Sequence, residues 1–145
     1  MSEFHAIPIP LGAGVVAATA TGFAFSAGRK FELLGVRLAA ETVITGHGTN
    51  FCAFRVLGSD ESTLIWEWST DTGGKEGSLA AKTVVYTSDE EGPAVAGDTA
   101  QDFDAAETKT LRTYDGTQAC IVQLTKGSSG VSIGDAGLTL IIRYL

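Results

Sequence analysis

Clustered carboxylates are the side chains in this sequence that most directly suggest chemistry. Residues 88–107 contain seven Asp or Glu residues and no Lys or Arg. Asp102, Asp104 and Glu107 are the most closely spaced, and carboxylates supply the oxygen ligands that Ca²⁺ prefers. The segment nevertheless lacks the 12-residue calcium-loop pattern and the glycine that its sharp turn requires. We therefore interpret it as a solvated or partner-contacting loop, with cation binding as the alternative, and we assign no metal and no cofactor.

Two tryptophans form the second candidate group. Trp66 and Trp68 share one face of a predicted strand and lie about 7 Å apart along it. On an exposed face they would form a stacking platform for sugar rings or an anchor for a protein partner. The polar Glu67 on the opposite face favours burial in the core instead. A protein interface and a sugar platform are the alternatives.

The histidines and cysteines show no catalytic or metal-binding pattern. His5 and His47 are the only histidines, and neither has a Cys or His at the spacing of zinc ligands. Cys52 and Cys120 each lie in a strand-like run, on the phase that faces the core. We interpret them as reduced core residues, with a bridge between two strands as the alternative. Neither is expected to be catalytic, because a reactive thiol needs a polar, activating neighbourhood.

No sequence motif indicates an enzyme. The nucleophile elbow, the P-loop and the zinc-protease helix motif are all missing, and Ser128 has no nearby base. Glu32, Glu41 and Glu67 are strand-borne candidates for a glycosidase pair, whose approach is spatial rather than sequential. A sandwich of 145 residues rarely offers a deep cleft. We therefore predict no enzymatic activity and no catalytic residue.

Composition indicates one ordered domain that does not bind nucleic acid. The chain has 145 residues, of which 44% are hydrophobic and 19% charged, enough to bury a core without disulfide or metal support. Eighteen glycines and only three prolines are typical of many short strands and tight turns. The net charge of −7 argues against nucleic acid as a partner, because phosphate binding needs a basic surface.

The N-terminal region superficially resembles a targeting segment. Residues 4–28 contain no charged side chain, but Glu3 occupies the place of the basic region of a signal peptide. The stretch is rich in Ala, Gly, Thr and Pro rather than Leu and Ile, so we expect no signal peptide, no transmembrane segment and no membrane partner. We predict an extended arm over residues 1–14 and a single domain over residues 15–145, with the long acidic loop 88–107. The arm residues predicted to contact a partner lattice are Phe4, Ile7, Pro8, Ile9, Pro10 and Leu11.

Alternation and turn signals predict an all-β fold. The predicted strands are residues 15–25, 30–39, 50–57, 63–69, 82–87, 108–114, 118–126 and 138–145. A slip of the alternation inside residues 30–39 predicts a β-bulge. The Asp115-Gly116 pair predicts a tight hairpin between two of these strands. About eight antiparallel strands indicate a two-sheet sandwich of jelly-roll type.

The chain resembles a family of virion proteins in residues 29–38, in its Gly- and Thr-rich turns, and in residues 134–140 after a Pro-containing N-terminal arm. This style is similar to that of the head decoration (cement) proteins of tailed phages, and tail or fibre-tip domains share it. The resemblance implies an oligomer, commonly a trimer, that clamps capsomer junctions with its arm on the shell.

We therefore predict a non-enzymatic virion protein, assembled in the host cytoplasm, that stabilises a phage capsid. Its expected partners are its own copies, as a homotrimer, and a major capsid protein lattice. The alternatives are a carbohydrate-binding module or a tail or fibre receptor-binding domain that uses Trp66 and Trp68.

Overall fold

The protein is an all-β molecule, as the sequence predicts. A computed structural model describes residues 4–11, 15–16, 20–87, 98–104, 109–127, 131–133 and 135–145. In these ranges it contains twelve strands and a single 3₁₀ turn at Lys109–Arg112. The strands are β1 (Phe4–Ile9), β2 (Val15–Val16), β3 (Ala20–Phe25), β4 (Phe31–Ala39), β5 (Cys52–Leu57), β6 (Leu64–Ser69), β7 (Val84–Tyr86), β8 (Thr99–Ala100), β9 (Thr113–Tyr114), β10 (Cys120–Lys126), β11 (Val131–Ser132) and β12 (Gly137–Tyr144).

The first sheet has the strand order β1-β12-β4-β7-β8, and β9 also pairs with β4. Its pairs are antiparallel except β7 with β8. Along β12, Ile141 lies opposite Gly35 whereas Ile142 lies opposite Leu33, which leaves Leu34 as the extra residue of a bulge. The bulge predicted from the slip of alternation is therefore confirmed. It keeps apolar residues on the core face on both sides of the irregularity.

The second sheet has the antiparallel order β3-β10-β5-β6 and covers the first. Alternate residues of its central strands, such as Phe54 in β5 and Val122 in β10, are fully buried. They share one hydrophobic core with Leu138 and Leu140 of the first sheet. The Phe25 ring of the second sheet meets Phe31 of the first at a centroid distance of 5.4 Å. The two-sheet sandwich is confirmed, while its jelly-roll connectivity stays a prediction.

The predicted hairpin at Asp115-Gly116 is wrong, because the flanking strands belong to different sheets. β9 pairs with β4 in the first sheet, whereas β10 pairs with β3 and β5 in the second. The Asp115 carboxylate accepts hydrogen bonds from the backbone N–H of Thr117 (2.8 Å) and Gln118 (3.0 Å). This local side-chain cap turns the chain from one sheet to the other. Gly116 also lies close to the preceding turn, since a Cβ there would be 3.2 Å from the Gly28 carbonyl oxygen, closer than ordinary van der Waals contact.

The strand predicted over residues 108–114 is mostly a 3₁₀ turn in the part that the structure describes. Lys109–Arg112 forms the turn, and only Thr113–Tyr114 is extended. The turn places the Leu111 carbonyl to accept the backbone N–H of Ser59 at 2.8 Å. The apolar Leu111 is half-buried against the core, which explains why alternation alone suggested a strand.

The predicted N-terminal arm differs from the structure in residues 4–11. Residues 4–9 form β1, which pairs residue by residue with β12 of the same chain. Ile7 packs against the core, and Ile9 and Leu11 are each only 7% exposed. The segment is therefore an edge strand of the sandwich, because its alternate apolar residues complete the core beside β12. Residues 1–3 and 12–14 lie outside the described residues.

Candidate functional site

The tryptophan pair belongs to the core. Trp66 is 1% exposed and Trp68 is 6% exposed. They pair across β6 and β5 with Val56 and Phe54, whose side chains also face the interior. The interpretation as core residues is confirmed. A sugar or receptor platform that needs both indoles in water is wrong for this strand.

The β6 edge is covered by the acidic segment that follows β8. The Trp66 indole N–H donates to the Gln101 carbonyl oxygen at 2.8 Å. The Gln101 side-chain amide donates to the Glu67 carbonyl oxygen at 2.9 Å. The backbone N–H of Asp104 donates to the Ile65 carbonyl oxygen, also at 2.9 Å. The described part of the acidic loop, residues 98–104, thus caps the strand edge.

The end of the same edge is capped by the turn after β6. The Glu76 carboxylate accepts the backbone N–H of Ser69 at 2.8 Å, and the backbone N–H of Gly77 donates to the Ser69 carbonyl oxygen at 3.1 Å. Nearby, the Lys75 ammonium lies 3.2 Å from the Glu67 carboxylate, and this hydrogen-bonded pair raises the pKa of Lys75. Glu67 and Glu76 therefore belong to a network of contacts that stabilises the β6 edge.

A small cavity of about 130 Å³ lies beside this network. Asp102 and Asp104 line it together with Glu67 and Lys75. In the part of the chain that the structure describes, no three His, Cys, Asp or Glu side chains converge as a metal site requires. Glu107, the third residue of the predicted acidic group, lies outside the described residues.

The histidines serve local structure. The His47 Nδ1 atom accepts the backbone N–H groups of Thr49 and Asn50, both at 3.0 Å, and so closes its own turn. The His5 ring contacts the Tyr144 ring at a centroid distance of 4.8 Å. Both side chains are therefore explained by packing and turn formation.

The cysteines are free and buried, which confirms the interpretation as reduced core residues. The alternative of a bridge is wrong, because Cys52 lies opposite Lys126, at the other end of β10 from Cys120. Burial raises the pKa of the Cys120 thiol to about 12 and also raises that of Cys52. Neither thiol forms the thiolate that nucleophilic chemistry needs near neutral pH.

The three strand-borne glutamates do not form a pair. Glu32 faces outward from the first sheet and Glu67 outward from the second, while Glu41 follows β4. Each is matched with its own cation. The ion-pair partners are Arg143 and Lys109 for Glu32, Lys82 for Glu41, and Arg55 and Lys75 for Glu67. Ser128 lies outside the described residues.

The outer face of the first sheet carries apolar side chains beside charged ones. In β12, Leu138, Leu140 and Ile142 face the core, so the alternate positions, including Ile141, face outward. We call the apolar members of this outward set the apolar outer face. They are Phe4, Ala6, Pro8, Leu34, Ile141 and Leu145, and Glu32, Arg37, Thr139 and Arg143 lie on the same side of the sheet.

Three large apolar side chains are exposed among the described residues, and two of them lie on this face. Phe4 is 41% exposed and Leu145 is 54% exposed, while the third such residue, Val43 at 50%, lies in the loop after β4. Phe4 pairs with Arg143, and Leu145 extends the same strand by donating its N–H to the Lys30 carbonyl oxygen at 3.1 Å. Leu145 therefore lies diagonal to Phe4 at one end of the face, two residues beyond Arg143.

A charged group lies among the apolar residues of this face. Arg143 is opposite Phe4 and between Ile141 and Leu145 along the strand. The buried Glu32 carboxylate lies 2.7 Å from the Arg143 guanidinium and 3.5 Å from the Lys109 ammonium. Burial alone would raise the pKa of Glu32, but the hydrogen bond from Arg143 and the two positive charges outweigh it and lower the pKa. Arginine beside aromatic and aliphatic side chains is common in protein interfaces.

The predicted lattice-contact residues divide into two groups by burial. Phe4, Pro8 and Pro10 are exposed. Ile7 is half-buried, and Ile9 and Leu11 are buried in the chain's own core, so the prediction that they reach a partner is corrected. Strand pairing with β12 is the reason, since it turns every second side chain inward.

Sequence reasoning missed Leu34, Ile141 and Leu145. Their signal was present in the alternation: with Leu140 assigned to the core, Ile141 and Leu145 fall on the opposite face. Apolar residues at the outward positions of a strand indicate a contact surface rather than additional core.

Comparison with known proteins gives no family assignment. No protein-family model matches the chain, and no curated protein matches it. Solved structures similar to it include the VP2 subviral particle of infectious bursal disease virus, at 13% identity and a TM-score of 0.20. The Gt and Gx strains of the same virus follow at 12% and 11% identity, with TM-scores of 0.17 and 0.18. Each match covers 100% of this chain and 40% of the other, and TM-scores this low do not establish a shared fold.

No helix in the described ranges is long and apolar enough to span a membrane.

Proposed function

We propose that this chain is a non-enzymatic structural protein of a virion, which decorates and stabilises a capsid by binding across subunit junctions through its apolar outer face. The observation that carries the proposal is the exposure of Phe4 and Leu145 at one end of the same sheet face, on either side of Arg143. Large apolar side chains grouped on a solvent-facing sheet gain free energy when a partner covers them.

The chemistry of this face suits a protein partner better than a small ligand. It is built from strands of a rigid sheet, and its side chains are aliphatic or aromatic with few polar groups to orient a small molecule. The ion pair between Glu32 and Arg143 on the same face supplies polar contacts beside the apolar side chains. A repeating lattice would present many such sites at once, so modest contacts per copy give stable decoration.

The opposite outer face of the sandwich differs in its exposed apolar side chains. In the second sheet, the outward Arg55 lies 3.1 Å from the Glu67 carboxylate, and Lys75 joins the same carboxylate, much as Arg143 and Lys109 surround Glu32 in the first. Among the described residues, the second sheet contributes none of the large exposed apolar side chains, whereas Phe4 and Leu145 belong to the first. This difference supports the first sheet as the contact surface.

Co-sedimentation with capsid shells tests the proposal. The probe is the shell assembled from the major capsid protein of the virus that encodes this chain. Wild-type protein should bind in a saturable way, and the double variant Phe4→Asp/Leu145→Asp should bind at least about 100-fold more weakly, because two carboxylates would be desolvated at the contact.

The matched control is Val43→Asp, which introduces the same charge at the third exposed apolar residue, away from the face. It should bind shells like the wild type, and all variants should keep the wild-type circular dichroism spectrum. Absence of wild-type binding, or equal loss in the Val43 variant, would overturn the proposal.

A further inference from the structure

The open edge of β1 has a defined main-chain orientation. The N–H of Leu145, directly after β12, donates to the carbonyl oxygen of Lys30, directly before β4. Odd-numbered residues of β12 therefore direct their main-chain groups toward β4. Even-numbered residues then bond to β1, where Ile142 lies opposite His5 and Leu140 opposite Ile7. It follows that Phe4, Ala6 and Pro8 direct their main-chain groups away from the sheet.

Proline 8 agrees with this assignment. A proline in a sheet has no N–H to donate and occupies an edge position with its nitrogen directed away from the neighbouring strand. With Pro8 turned outward, the bonds between β1 and β12 are intact. No strand among the described residues lies on the outer side of β1. No described residue pairs with the N–H groups of Phe4 and Ala6 or with the carbonyls of Phe4, Ala6 and Pro8.

We propose that this edge pairs with β1 of a second copy of the chain, antiparallel, around a two-fold axis at Ala6. The N–H of each Ala6 would donate to the Ala6 carbonyl of the other copy. Phe4 would lie opposite Pro8 of the second copy and donate its N–H to that carbonyl. Four hydrogen bonds would form, and the first sheets of both copies would join into one continuous sheet.

Charge and register favour a second copy as the occupant. Residues 4–11 contain no charged side chain, so self-pairing at this edge opposes no like charges in a protein of net charge −7. Moving the axis to Pro8 would place two prolines opposite each other and lose the central pair of bonds. Pro8 therefore excludes that register. With the axis at Ala6, every outward donor of the strand has an acceptor in the partner. An axis at His5, which pairs Phe4 with Ala6 of the second copy, satisfies the same donors, and the mixture of Ala6→Lys with Ala6→Glu distinguishes the two registers.

The pairing is isologous and gives a dimer, in contrast to the trimer that the family resemblance implies. The pairing uses the main-chain groups of β1, whereas the proposed capsid contact uses the side chains of the apolar outer face, to which Phe4, Ala6 and Pro8 also belong. The two proposals have different readouts, the mass in solution and the binding of shells, so that either can fail while the other holds.

Light scattering on the purified full chain tests the pairing. The wild type should have the mass of a dimer at micromolar concentration. Ala6→Lys and Ala6→Glu should each raise the dimer dissociation constant by at least about tenfold, since like charges would lie directly opposite each other. An equimolar mixture of the two variants should restore the dimer, because each lysine then faces a glutamate.

A parallel control separates this edge from the other open one. Ala24 is an exposed alanine on β3, at the edge of the second sheet, and Ala24→Lys should leave the dimer unchanged. Ala6→Pro, which removes the two central hydrogen bonds while the β12 ladder stays intact, should weaken the dimer about 30-fold. A monomeric or trimeric wild type, a mixture without rescue, or dissociation by Ala24→Lys would overturn the proposal.

Discussion

Two edges of the sandwich differ in whether another segment covers them. The β6 edge is covered, and the β1 edge is not covered by any described segment. At β6, the carbonyls of Ile65, Glu67 and Ser69 each accept a hydrogen bond from a covering segment. At β1, no described segment covers the outward groups of Phe4, Ala6 and Pro8. Natural sheets protect their edges to prevent unwanted pairing. An open edge is available for pairing, which in the described part of the chain applies to β1 and to β3, the other edge of the second sheet.

The sheet order explains why the protection is one-sided. β8 ends the first sheet at the side of β6, so the residues that follow it can reach over and bond to the second sheet. β1 ends the first sheet at the other side. The acidic segment therefore stabilises one edge, and the exposed apolar residues gather at the opposite edge.

The largest expected effect on stability comes from substituting Trp66, whose indole bonds to the segment that covers the β6 edge. Trp66→Ala should lower the free energy of unfolding by about 3–5 kcal/mol, because it leaves a large cavity in the core and removes the bond to Gln101. Urea unfolding followed by circular dichroism measures the change. The native wild type should also show blue-shifted tryptophan emission that resists aqueous quenchers.

Two companion variants give this result its meaning. Trp66→Phe keeps most of the apolar volume and should lose less than half as much stability as Trp66→Ala. Val43→Ala, at an exposed site, should change the free energy of unfolding by no more than about 0.5 kcal/mol. A loss for Trp66→Ala no greater than that of the Val43 variant would contradict the burial of the indole.

A smaller loss of stability is expected from a substitution in the charged group of Glu32, Arg143 and Lys109. Glu32→Gln should lower the free energy of unfolding by about 2 kcal/mol at neutral pH, because Arg143 loses its carboxylate partner at a buried position. The value is below that of a fully buried ion pair, since Arg143 and Lys109 remain partly in water, with side chains 27% and 69% exposed. Chemical denaturation at pH 7 gives the difference.

The pH dependence of this difference is set by the lowered pKa of Glu32. A carboxyl whose folded pKa is below its ordinary value of 4.5 stabilises the fold fully above that value. The contribution is lost as the pH falls through the folded pKa. The difference between wild type and Glu32→Gln should therefore shrink below pH 4.5. A difference that grows in acid would show that Glu32 is not held ionised by Arg143 and Lys109.

The sequence predicted those parts of the fold that depend on local alternation. The all-β class, the bulge at Leu34 and the inward phase of Cys52 and Cys120 all follow from which residues share a face. The hairpin at Asp115 failed because a local turn signal does not say which sheet each flanking strand joins. That choice depends on long-range pairing, here of β9 with β4.

The candidate surface was only partly predictable for the same reason. Phe4, Pro8 and Pro10 were predicted to be available for contact and are exposed. Ile141 and Leu145 were assigned to a strand but not to its outer face, because nothing local shows which of two apolar phases is covered. The pairing of β1 with β12 decides this, and it is visible only in the structure.

The smallest expected effect comes from partly opening the covered edge at Gln101. Gln101→Ala removes the amide that donates to the Glu67 carbonyl and should lower the free energy of unfolding by about 1 kcal/mol. The bond from the Trp66 indole would remain, because it ends on the Gln101 backbone carbonyl. Urea unfolding should show a lower midpoint with an unchanged slope.

The matched control is Gln123→Ala, which makes the same substitution at a half-buried residue on the outer face of β10. It should lower the free energy of unfolding by less than half as much as Gln101→Ala.

The same pair of variants tests whether Gln101 prevents pairing at the β6 edge. Without its amide, the Glu67 carbonyl becomes an unpaired acceptor of the kind that promotes strand pairing. Light scattering should therefore show more self-association for Gln101→Ala than for Gln123→Ala. Equal behaviour of the two variants in both assays would show that Gln101 does not protect β6, and the contrast with β1 would lose its physical basis.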